Sequence, residues 1–278
     1  PMTVCSGDQP IRVLRIIARM NVGGPAWQAS ALTSGLDPGM FQSRLVCGRV
    51  GDGEADFVDL RQPDLPVHRI STLGRGAHPL DDLRALVALR REIRSFRPHI
   101  VHTHTAKAGV LGRLAAISCR VPLRVHTYHG HLLKGYFGPV VVRIIRAVES
   151  FLARRTSALV AVGAQVSDEL LDAGIGRAEQ YTVIPPGVEP VEISQGREGR
   201  EALGVTEDAQ VVLFIGRLTR IKRFDRLIKA MVIVTREAPE ALLVVVGEGD
   251  ELGEAQRLAE PLGAAVRFLG WRAELGSA

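Results

Sequence analysis

The first apolar run, Ile11 to Ile17, breaks at Asn21-Val22-Gly23-Gly24-Pro25, and a helical stretch follows from about Ala26. The same rhythm then repeats. Strand-like apolar runs recur near Arg44 to Cys47, His99 to His102, Leu123 to Tyr128, Ala158 to Val162 and Tyr181 to Ile184, with helical segments between them. In one of these segments Leu83, Leu86, Leu89, Ile93 and Phe96 recur at steps of three and four, which predicts a helix with one buried face. The strand runs are continuously apolar rather than alternating, as when both faces of a strand are covered. Alternation of such strands with helices predicts an α/β, doubly wound, Rossmann-like domain around a parallel sheet.

The rhythm stops once. Pro185-Pro186-Gly187 ends a strand, and Val188 to Gly199 is polar and acidic, with Pro190, Gly196 and no period, which reads as a linker. Beyond it the expected elements are a strand at Val211 to Ile215, a helix at Lys222 to Arg236 and a strand at Ala241 to Val246. A helix at Glu251 to Leu262 and a strand at Val266 to Leu269 complete the set. Two domains are therefore expected, residues 1–190 and 191–278. The second holds three strands where doubly wound domains carry about five or six. A half-built sheet exposes an edge and a face, so the expectation is a chain truncated in its second domain. The alternative is a short protein whose second half packs on a partner.

Composition narrows the class. Of 278 residues 46% are hydrophobic and 23% charged, which excludes wholesale disorder. No apolar run is long enough to span a bilayer, and the N-terminus lacks the layout of a signal peptide. Cys5, Cys47 and Cys119 are scattered without metal-ligand spacing and point to a reduced, cytoplasmic compartment. The formal net charge of +5 suits a phosphate-bearing ligand or an anionic surface. Few aromatics and no zinc or RNA-binding motif argue against nucleic acid.

Four places carry candidate chemistry. Gly23-Gly24 follows the first strand and opens a helix, where backbone amides attract anions; without the three glycines of the dinucleotide fingerprint it also reads as a plain turn. His102-Thr103-His104 and His126-Thr127-Tyr128-His129-Gly130-His131 sit at strand carboxyl ends, where open parallel sheets bind ligands. These histidines are substrate-facing, structural or, least favoured for want of partners, metal ligands. Gly216-Arg217-Leu218-Thr219-Arg220-Ile221-Lys222 follows a strand, and Arg217 and Lys222 can converge on a diphosphate. Its spacing fits equally a solvated basic face with Arg223, Arg226 and Lys229. Gly247-Glu248-Gly249 forms a further glycine turn with an acidic hydroxyl acceptor.

In this order the segments resemble the GT-B glycosyltransferases of family 4. The resemblance runs from Ile11 to Trp271 and rests on Asn21-Val22-Gly23-Gly24, His102-Thr103-His104-Thr105-Ala106-Lys107 and His126-Thr127-Tyr128-His129-Gly130. It continues through Val183-Ile184-Pro185-Pro186-Gly187-Val188, Phe214-Ile215-Gly216-Arg217-Leu218 with Lys222, Val246-Gly247-Glu248-Gly249 and Phe268-Leu269-Gly270. It implies a first domain that holds the acceptor and a second that holds a UDP- or GDP-type sugar donor in the cleft between them. Arg217 and Lys222 match the pair that grips the donor diphosphate, replacing a metal. Gly23 and Gly24 match the loop near that diphosphate, and His129 matches a histidine facing the transferred sugar. Gly247, Glu248 and the backbone near Leu269 fall on the donor side; His104 and Lys107 are acceptor-side candidates. Retention of anomeric configuration, no metal and no cofactor are implied too. The family's later acidic motif, two glutamates eight residues apart, is absent from this chain.

The implied function is hexosyl transfer to a sugar, lipid-linked or small-molecule acceptor in cell-surface polysaccharide or glycolipid synthesis. A sugar-nucleotide 2-epimerase and a non-catalytic sugar-nucleotide-binding module are the alternatives. A dinucleotide oxidoreductase is disfavoured by the missing fingerprint. Residues 139–155 add a candidate peripheral contact with the inner face of a membrane. There Val141, Ile144, Ile145, Val148 and Phe151 share one side of a helix, and Arg143, Arg146, Ser150 and Arg154 another. Ordinary sheet cover with a solvated arginine face explains that pattern equally.

Overall fold

β1 (Ile11–Arg19) is a strand covered on both sides: Val13, Leu14, Ile16 and Ile17 are all buried. Each such side chain contributes roughly 1.5–3 kcal/mol through removal from water, which places the strand at the centre of a sheet. The computed structural model describes residues 9–51, 54–74, 76, 78–130, 133, 137–187 and 196–272. The chain divides into two units, Pro1–Gly187 and Val188–Ala278.

In the first unit β1 is followed by α1 (Gly24–Ser34), β2 (Phe41–Gly48), α2 (Phe57–Arg61), β3 (Val67–Arg69) and α3 (Pro79–Phe96). Then come β4 (Ile100–His104), α4 (Ala106–Ser118), β5 (Leu123–Tyr128), α5 (Pro139–Ala153), β6 (Ala158–Ala161), α6 (Ala164–Asp172) and β7 (Tyr181–Val183). The seven strands are parallel and ordered β3-β2-β1-β4-β5-β6-β7. Leu14, Ile16 and Val101 pack with Leu89, Ile93, Leu111 and Ala115 of α3 and α4. Ile17, Leu45 and Cys47 pack with Ala26, Ala29 and Phe57 of α1 and α2. Farther along the sheet Tyr128, Leu159, Leu170 and Ile175 form a third cluster.

Several boundaries depart from the expected pattern. β3 and α2 are too short to leave a period. On α3 the buried residues are Ala85, Leu89, Glu92, Ile93 and Phe96, whereas Leu83 is exposed, because the helix leans on its neighbours along a different stripe.

The second unit runs α7 (Gly196–Leu203), β8 (Val211–Ile215), α8 (Phe224–Glu237), β9 (Leu242–Val246), α9 (Leu252–Ala259) and β10 (Val266–Phe268). Its three strands are parallel, in the order β10-β9-β8, over a core of Leu218, Phe224, Ile228, Met231, Leu243 and Val245. Residues 196–199, expected to end the linker, are the first turn of α7; residues 188–195 lie outside the described residues. α8 begins at Phe224 rather than Lys222, because Arg220–Lys222 form a 3-10 turn and Arg223 is left-handed at φ 52°. α9 stops short of Leu262 because Pro261 opens a 3-10 segment and Gly263 turns out of it.

Candidate active site

β1 sends its connection through α1 to one side of the sheet, while β4 sends its own through α4 to the other. Their carboxyl ends flank the point where strand order reverses, the place at which doubly wound sheets bind ligands. His104 ends β4, in register with Ile17 of β1 and Thr127 of β5.

Three of the predicted histidines meet there. His104 Nδ1 lies 3.1 Å from His129 Nε2, so one ring donates to the other and the pair fixes both tautomers. His102 tilts against His104 with ring centroids 4.2 Å apart, and its Nε2 is 2.8 Å from Thr127 Oγ1. His104 is fully buried, and its Nε2 has no hydrogen-bond partner among the described residues. Burial pushes His129 down to about 4 and His102 to about 3, the latter helped by the Arg15 charge and by repulsion between the His102 and His129 rings when both are protonated. His104 is held well below the ordinary histidine range by burial and by its neighbours. At neutral pH the cluster therefore presents neutral imidazoles.

The pleat of β5 separates what the sequence read as one cluster. His126 points to the opposite face, 2.8 Å from Thr103 Oγ1 and against α4 at Gly109, where any side chain would collide with its ring. It is a packing residue. His131 lies outside the described residues. The signal missed in the sequence is Thr105: it joins β4 to α4 at φ 64°, a conformation costly for a β-branched residue and held here beside the histidine pair. Its Oγ1 accepts from the Ala18 amide at 3.4 Å, tying the end of β4 to β1.

Gly23 and Gly24 are exposed at the start of α1, and Gly24 fronts open space. With Pro25 in the first turn, the free amides of that helix end are left for solvent or a ligand. Lys107 does not join the cluster. Its ammonium is paired with Asp82 of α3 at 2.5 Å and donates to the Gly76 carbonyl, so it holds α4 to α3.

The second unit gathers its predicted residues at one end of its sheet. Past the strand ends, Gly216 N donates to Val246 O (3.0 Å) and Leu218 N to Glu248 O (2.9 Å). Gly247 N donates to Gly270 O (2.8 Å) and Leu269 N to Val245 O (2.9 Å). Gly247 sits at φ 135°, and a Cβ there would lie 2.0 Å from the Gly216 carbonyl oxygen, so only glycine lets these loops close together. Arg217, Gly247, Glu248 and Leu269 thus share one rim. Glu248 Oε1 accepts from the Trp271 amide at 3.3 Å. Lys222 follows in the 3-10 turn. Arg217 and Lys222 are exposed and make no ion pair among the described residues, whereas Arg223 is clamped by Asp225 through two bonds of 2.8 Å.

A seven-stranded doubly wound parallel sheet followed by a smaller three-stranded parallel sheet is the fold of the GT-B proteins. Anabaena HepE, solved with UDP-glucose, matches with TM-score 0.75 at 24% identity, covering 96% of this chain and 71% of that one. The UDP-GlcNAc 2-epimerase from Methanocaldococcus jannaschii matches with TM-score 0.64 at 14% identity, over 96% and 75%, so the fold is shared beyond transferases. Residues 23–187 match the glycosyl transferase 4-like domain and residues 196–276 the glycosyl transferases group 1 domain; the chain belongs to the glycosyl transferase 4-like family. An Escherichia coli relative is the UDP-Gal:alpha-D-GlcNAc-diphosphoundecaprenol alpha-1,3-galactosyltransferase. It is 25% identical over 244 residues, which cover 84% of this chain and 62% of that protein. The chain thus spans less than two thirds of that relative's length.

Proposed function

We propose that this chain carries the acceptor unit and part of the donor unit of a retaining, metal-independent glycosyltransferase. It moves a hexose from a UDP- or GDP-sugar to a sugar or lipid-linked acceptor in cell-surface polysaccharide or glycolipid synthesis, in the cytoplasm at the inner membrane face. The observation that carries this reading is a pair of exposed cations that make no ion pair among the described residues: Arg217 on the glycine-built rim at the strand ends of the second unit, and Lys222 in the 3-10 turn that follows. They bind the donor diphosphate and stabilise the negative charge that develops as the nucleoside diphosphate departs. Glu248 accepts from donor hydroxyls, and the backbone at Leu269 borders the base. In the first unit His129, kept neutral by burial, hydrogen-bonds the reacting sugar without repelling the positive charge that builds at its anomeric carbon. His104 sets its tautomer. The lipid-linked acceptor draws support from the diphosphoundecaprenol substrate in the name of the Escherichia coli relative.

The test is incubation of the enzyme with labelled UDP- and GDP-sugars and lipid-linked or simple glycoside acceptors. Transfer with the anomeric configuration kept is expected. Epimerisation of the donor without an acceptor would assign the chain to the epimerases that share its fold, and neither reaction would leave a binding module.

A further inference from the structure

Arg15, in the middle of β1, is a buried cation with no acid beside it; only 4% of its surface is exposed. Its Nη1 donates to Ser43 Oγ at 2.6 Å, its Nε has no hydrogen-bond partner, and it makes no ion pair among the described residues. Burial lowers it to about 10, so it stays charged throughout the range in which histidine titrates. A buried charge without a counter-charge costs stability, and ionisable groups perturbed in this way gather at functional sites.

Its neighbours on the sheet are the histidines. Arg15 is in register with His102 of β4, and Ile17 with His104, so these four side chains share one face. His102 stacks on His104 at 4.2 Å, and His104 meets His129 at 3.1 Å. A permanent cation therefore stands at one end of a row of three rings that has His129 at its other end. No acid balances it. α1, which packs on this face at Ile17, contains no titratable side chain. In α2, Asp59 and Arg61 are exposed, and Asp56 ahead of it is held by Arg69. The charges that act on His102 are those of Arg15 and His129, and those that act on His104 are His102, His129, His126 and Arg15. β5 brings only the neutral Thr127 hydroxyl to His102.

We propose that Arg15 is a positioning residue whose buried charge keeps protons off His102 and His104, so that the His104–His129 pair holds one uncharged, hydrogen-bonded arrangement. A protonated His102 would stand directly opposite the guanidinium, and repulsion across this face of the sheet is stronger than in water. The hydrogen bond between His104 Nδ1 and His129 Nε2 survives only while one of the two nitrogens accepts, so a row kept free of protons preserves it. Arg15 thus acts through His102 and His104 rather than by touching a substrate. The proposal rests on the proposed function only for its use, a neutral His129 toward the reacting sugar.

The test is an NMR titration of the histidine ring nitrogens in the 278-residue chain, wild type against Arg15→Met, Arg15→Gln, Arg15→Lys and Ser43→Ala. In the wild type His102 and His104 are expected to stay neutral down to the acid unfolding of the chain. Arg15→Met should raise the titration of His102 by about one pH unit or more and that of His104 by less, because His102 is the ring in register with the lost charge. Arg15→Gln, also uncharged but polar, should do the same and serves if the methionine variant does not fold. Arg15→Lys carries its charge at the acid pH where the rings titrate, and Ser43→Ala removes only the hydrogen bond, so both should titrate as the wild type does. A merely structural arginine would not separate the variants by charge. Two outcomes overturn the proposal: His102 neutral down to acid unfolding in the uncharged variants, or a shift in Arg15→Lys as large as in Arg15→Met. No sugar donor enters the titration, so failure of the transferase reading leaves its outcome intact.

Discussion

Arg113 of α4 donates to Glu149 of α5 at 2.7 Å, and both side chains are buried. The Tyr128 hydroxyl donates to the same carboxylate oxygen at 2.8 Å, and the Arg113 Nε to the Gly109 carbonyl at 2.7 Å. This network ties two helices to β5, on the face of the strand that carries His126. Removing one partner strands the other charge in the interior, so Glu149→Ala should cost about 3–5 kcal/mol. Replacing both partners with apolar residues, as in R113M/E149L, should cost less than the single change. Urea unfolding of the variants decides it, and a double variant less stable than Glu149→Ala would refute the argument.

The buried histidines set the acid limit of the fold. His102 and His129 are lowered to about 3 and about 4, and His104 and His126 well below 6.5, all chiefly by burial. Below about pH 6.5 the unfolded chain binds protons that the folded chain does not, so stability falls as pH drops toward 4 and is flat above 7. Each histidine adds about 1.4 kcal/mol per pH unit to the slope within that window. Urea midpoints at pH 5, 6 and 7.5 measure it. Equal midpoints would mean that these rings protonate freely in the native state.

Gly247→Ala should disrupt the rim of the second unit, since its Cβ would sit 2.0 Å from a backbone oxygen at a φ of 135°. Gly253→Ala, in α9 with open space before it, should instead raise stability by roughly 0.5–1 kcal/mol. Melting temperatures of opposite sign are expected. Two neutral substitutions would mean that the loops at Gly216 and Gly247 are not packed together.

Arg217→Ala and Lys222→Ala should each lower turnover about ten- to a hundredfold while leaving the melting temperature unchanged, because both side chains are exposed. Initial rates at saturating donor measure the effect. Wild-type turnover in Lys222→Ala would remove it from the diphosphate site.

On the proposed roles of Arg217 and Lys222, which would supply the positive charge that a metal ion supplies elsewhere, transfer is expected to persist in EDTA. Activity lost in chelator and restored by manganese or magnesium would place the enzyme in a different mechanistic class.

Much of this architecture is legible in the chain itself. Continuous apolar runs such as Ile11 to Ile17 and Leu242 to Val246 encode strands buried on both faces, because burial is a property of each residue type and its period. Arg217 and the glycines at 23, 24 and 247 stand next to those runs, so the ends of the strands could be read as the candidate ligand side. The runs also encode alternation, and with it a parallel doubly wound sheet. What the sequence could not contain is which distant groups meet. The pairing of His104 with His129 needs β4 beside β5 in one register, and the same pleat sends His126 to the other face. Lys107 looked free until α3 brought Asp82 to it. The apolar stripe of α5 has the periodicity of a core-facing helix, yet the fold covers the other side. Periodicity records that a face exists; only tertiary packing decides what it faces.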